Sequence, residues 1–89
     1  MTNREEIRQC IEKLLHRSND HKPFSDTDSL ILSGRLESID TIEIVMFLEQ
    51  RFGIDFGDIG FDETEFDSVQ RIDDLVQAHA PASLRDKAL

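Results

Sequence analysis

The sequence predicts an all-α protein, a small four-helix bundle of three long helices and one short one, with a long first loop. Three observations lead there. Apolar residues recur at helical spacing in three stretches, each bounded by capping and stop chemistry. No segment alternates convincingly enough to form a strand beyond a short apolar patch around Ile54. The chain has 89 residues, enough for one small domain with a modest core. Residues 1–79 form that domain, and residues 80–89 read as a flexible C-terminal tail.

The first helix is expected from Asn3 to Arg17. Ile7, Ile11, Leu14 and Leu15 share one stripe. Thr2 or Asn3 can cap it, with Glu5 or Glu6 placed to close a capping box. Ser18, Asn19 and Asp20 end it with turn chemistry. Cys10 lies within this pattern and reads as a small core or boundary residue. As the sole cysteine, it excludes an internal disulfide and a multi-thiolate metal site.

Residues 19–37 keep no period. Pro23, the polar cluster Ser25 to Ser29, and Gly34 argue for a loop, with Phe24, Leu30, Leu32 and Leu36 as candidate anchors. Long ordered loops in small domains tend to be functional. The second helix is expected from Ser38, read as its N-cap, to Phe52. Asp40 and Glu43 lie near its positive end and Gly53 stops it. Between Gly53 and Asp67 the three glycines Gly53, Gly57 and Gly60 exclude a long helix but leave room for a short turn near Asp62 to Phe66. The last helix, capped by Asp67 or Ser68, has the stripe Val69, Ile72, Leu75 and Val76 and stops at Pro81.

Charge narrows the function. Nineteen Asp and Glu against ten Lys and Arg give a formal net charge of −9. Such a chain repels nucleic acid and anionic membranes and suits a basic protein surface. No apolar run is long enough to span a bilayer, and the start lacks a secretory signal, so a cytoplasmic monomer is expected. His16, His21 and His79 have no signature tying them to a serine, so hydrolase chemistry is not indicated. The carboxylates between Asp55 and Asp67 lack the ligand order of a calcium loop, and no metal is expected.

The second helix carries more apolar residues than one core needs. At about 100° per residue, Ile44, Val45, Leu48 and Phe52 face one side, while Ile39, Ile42 and Met46 face the other beside Glu43, Glu49 and Gln50. Two readings of that second strip stay open. Either the long loop folds back over it, or it is exposed as a docking strip rimmed by carboxylates.

The run Gly34-Arg35-Leu36-Glu37-Ser38-Ile39-Asp40-Thr41-Ile42-Glu43-Ile44-Val45-Met46-Phe47-Leu48-Glu49 resembles the phosphopantetheine attachment region of the acyl carrier protein family. There the pattern is Gly, two residues, Asp-Ser-Leu, then a helix of alternating apolar and acidic residues ending in Phe. The likeness extends to Phe52-Gly53-Ile54 and more loosely over residues 3–79. Asp28-Ser29-Leu30 before Ser33-Gly34 is similar to the loop of free-standing carriers, including D-alanyl carriers. That tripeptide is also a literal Asp-Ser-Leu, but Ser29 lies within the loop, whereas Ser38 opens a helix and has the family's spacing to Phe52.

The resemblance implies an acyl-carrier-like bundle that is not an enzyme. Its cofactor is 4'-phosphopantetheine from coenzyme A, joined to Ser38 by a phosphopantetheinyl transferase. The distal thiol carries an acyl or aminoacyl thioester, as in fatty acid or polyketide biosynthesis, and presents it to activating and transferring enzymes. Glu37, Ile39, Asp40, Ile42, Glu43, Met46 and Glu49 then occupy positions that carriers use to meet basic docking surfaces. Glu37 replaces the usual Asp and Ile39 the usual Leu, which leaves a dedicated transferase open. The alternative is an acidic helical interaction module without a prosthetic group.

Overall fold

The computed structural model describes residues 2–80. It has α1 (Asn3–Arg17), α2 (Ser38–Phe52), α3 (Phe56–Ile59), a single 3-10 turn (Glu63–Phe66) and α4 (Val69–His79). Among the described residues all regular structure is helical. The three long helices carry the bundle, α1 packing on both α4 and α2. Of the expected tail, residues 81–89 lie outside the described residues, while Ala80 is buried at the end of α4.

Local chemistry accounts for the boundaries. The Thr2 hydroxyl accepts from the Glu5 amide at 3.1 Å and starts α1. Ser68 does the same for α4, accepting from the Arg71 amide at 3.1 Å. Gly53 ends α2 with φ +68°, the left-handed turn that lets its amide return to the Glu49 carbonyl at 3.1 Å. The stretch after Gly53 is more ordered than its glycines suggest. Asp55 caps the one-turn α3 through the Asp58 amide, and the expected turn near Phe66 is the 3-10 element.

The core is one cluster. Ile7, Ile11 and Leu15 of α1 meet Ile44, Leu48 and Phe52 of α2 and Val69, Ile72 and Val76 of α4. Phe66 is fully buried and stacks with Phe56 and Phe61 at centroid separations of 5.8 and 5.5 Å, so two of the short elements are tied in by rings.

The long loop is anchored by three of the four expected residues. Phe24, Leu30 and Leu36 are buried, but Leu32 is 77% exposed. Leu32 points out because polar contacts fix the backbone around it. One Asp67 carboxylate oxygen accepts from the amides of Ile31 and Leu32 at 2.8 and 3.0 Å and from the Ser29 hydroxyl at 3.0 Å. The Leu30 amide donates to the Asp67 carbonyl at 2.7 Å. Burial alone would raise the Asp67 carboxyl, but these donors hold it below the ordinary carboxylate range. At the loop's start, Arg8 pairs with Asp26 at 2.7 Å and lies over the Phe24 ring at 4.4 Å. Arg35 clamps Asp20 through two nitrogens at 2.9 and 3.1 Å.

Candidate functional site at the start of the second helix

The loop delivers the chain to α2 with Leu36 buried and Glu37 and Ser38 exposed. Glu37 has extended backbone angles and is the N-cap, so Ser38 is the first helical residue rather than the cap itself. The cap differs from expectation because Asp40 folds back: its Oδ2 accepts from the Glu37 amide at 2.9 Å, which fixes Glu37 as the boundary. Ser38 is thereby released from capping, and the residue is exposed.

The amides of Ser38 and Ile39 find no acceptor among the described residues, while those of Asp40 and Thr41 donate to the Glu37 carbonyl. Two unpaired N–H groups at the positive end of a four-turn helix suit a phosphate ester on the adjacent hydroxyl. Ser29, the literal alternative, instead spends its hydroxyl on Asp67 within the loop.

The second strip of α2 is uncovered. Ile39, Ile42 and Met46 are 62%, 56% and 51% exposed, and the loop packs elsewhere. Glu37 and Glu49 are exposed at its two ends. Asp40 and Glu43, named with them from sequence, sit differently. Asp40 is only 4% exposed because its carboxylate caps the helix. Glu43 is gripped by the two terminal nitrogens of Arg17, one of which also reaches Asp40 Oδ1 at 3.4 Å. That guanidinium holds the Glu43 carboxyl below the usual carboxylate range. Neither pairing was visible in the sequence, where Arg17 is only a basic residue in the last turn of α1.

The family model for the phosphopantetheine attachment site matches residues 5–78, nearly all of the described chain. The chain belongs to this family. It is therefore a carrier and not an enzyme, and its covalent group is 4'-phosphopantetheine. A phosphopantetheinyl transferase and biosynthetic enzymes are the partners the family implies. No curated protein and no solved structure matches the chain. The reading as an interaction module without a prosthetic group is set aside by the family match.

The residues around Ser38 fit the arm: an exposed serine with two amides that have no acceptor among the described residues. No described helix is long and apolar enough to cross a membrane. Cys10, on α1 and half-buried against the core, has its thiol pushed up to about 11 by burial.

Proposed function

We propose that this carrier bears its arm on Ser38 and presents an acyl or aminoacyl thioester to cytoplasmic biosynthetic enzymes that dock on α2. The observation that carries the reading is an exposed Ser38 as first residue of α2, beside an uncovered apolar strip. When bound, the arm supplies a terminal thiol that holds cargo as a thioester. The chain's own part is positional. The Ser38 oxygen is the ester anchor, the amides of Ser38 and Ile39 steady the phosphate, and Glu37, Ile39, Ile42, Met46 and Glu49 form the surface presented to partners. Asp40 supports this by capping, and Glu43 borders the strip.

The test is intact-mass spectrometry after incubation with coenzyme A and a broad-specificity phosphopantetheinyl transferase. The protein should gain one phosphopantetheine, and peptide mapping should place it on Ser38. Ser38→Ala should gain none while remaining folded. Loading of Ser38→Ala, or mapping to Ser29, would refute the assignment.

A further inference from the structure

Resting on that reading of α2 as the docking helix, we infer that its partners present an apolar trough with cations only at the two ends. Arg17 of this chain masks the carboxylate in between. Three observations lead to this. The middle of the strip is Ile39, Ile42 and Met46, each more than half exposed. Its two exposed carboxylates without an ion pair among the described residues, Glu37 and Glu49, are twelve residues apart, about 18 Å along a helix axis. The carboxylate between them, Glu43, already has a bidentate guanidinium partner from α1.

Charge complementarity then selects the occupant. A partner whose basic patch is centred on α2 meets Arg17 where it needs an anion, and like charges at close range disfavour the encounter. A partner with an apolar centre covers Ile39, Ile42 and Met46 and loses nothing at Glu43. Arg17 is a specificity-determining residue in this arrangement, because it sets how many carboxylates a partner can use. The mask is shallow: Arg17 is itself more than half exposed, and an exposed ion pair shifts an equilibrium by a few-fold at most. It biases choice among partners without forbidding any.

The experiment measures the KM for loading by a phosphopantetheinyl transferase with coenzyme A, between roughly 0.05 and 0.5 M NaCl. Arg17→Gln should raise the KM about two- to threefold, because it leaves Glu43 an unpaired charge against the partner's apolar centre. Adding Glu43→Gln to Arg17→Gln should return the KM to within about twofold of wild type. An unchanged or lowered KM in Arg17→Gln overturns the proposal, as does a double variant no better than Arg17→Gln alone.

Carbon NMR of the side-chain carboxyls in the unloaded protein supplies a readout that needs no arm. The Glu43 midpoint should rise on Arg17→Gln, and a midpoint that stays put overturns the mask. Failure of the wild-type chain to load would count against Ser38 as the anchor, and this titration would still decide the role of Arg17.

Discussion

Replacing Asp67 should loosen the loop that leads to Ser38. One of its carboxylate oxygens accepts three hydrogen bonds, from Ser29, Ile31 and Leu32. Hydrogen bonds to a charged group contribute about 1.5–3 kcal/mol each when buried, and about 1 kcal/mol is the fitting figure for these part-buried ones. Asp67→Ala should therefore cost about 3 kcal/mol, much of the ~4–12 kcal/mol expected for a domain of this size. With a slope of about 1 kcal/mol/M, the urea midpoint should fall by about 3 M, enough to unfold a marginal protein. Asp67→Asn is the sharper variant. All three donors converge on a single oxygen, which an amide carbonyl can replace, so only charge assistance is lost and the cost should stay near 1 kcal/mol. Urea melts followed by far-ultraviolet circular dichroism measure both. The reasoning fails if Asp67→Ala costs less than about 1 kcal/mol, or if Asn is as damaging as Ala.

Three further outcomes are expected. The Thr41 hydroxyl is buried without a hydrogen-bond partner among the described residues, so Thr41→Val should stabilise by about 1 kcal/mol and raise Tm by roughly 4–8 °C in a thermal melt. Asp20 is held at about 2 by hydrogen bonds from Arg35 and the Lys22 amide, against an ordinary 3.8. A lowered folded-state value means its contribution is present above the ordinary value and is lost as pH falls toward 2, so the Lys22 amide resonance should move in that window and move earlier in Arg35→Gln. Cys10, raised to about 11 by burial, should react with an aromatic disulfide at pH 7 much more slowly in the folded protein than in urea.

Much of the architecture was legible because it is local. The apolar stripes of α1, α2 and α4 place those helices at the expected residues, and Gly53 marks the end of α2 in sequence as in structure. What escaped is what depends on residues far apart in the chain. Asp67 organises a loop more than thirty positions earlier, and Arg17 reaches Glu43 at a separation of 26. Periodicity gives the angle of Ile39, Ile42 and Met46 around the axis but not what stands opposite them, so only coordinates could show the strip uncovered. The cap was misplaced by one residue because Ser38 is a favourable cap type, while the folded-back Asp40 that favours Glu37 is a geometric fact. Leu32 is apolar and exposed because its neighbours' amides, not its side chain, determine the path there.

The anchor, the strip and one wall of the interior all belong to the same uninterrupted coil, α2. Inserting or deleting one residue within it would swing everything downstream by about 100° about the axis. Met46 would then turn away from the strip it shares with Ile39 and Ile42, while Leu48 would leave the interior. The lineage of such a protein can explore new residue types along this segment but hardly new lengths, so divergence in length should collect in the loops on either side.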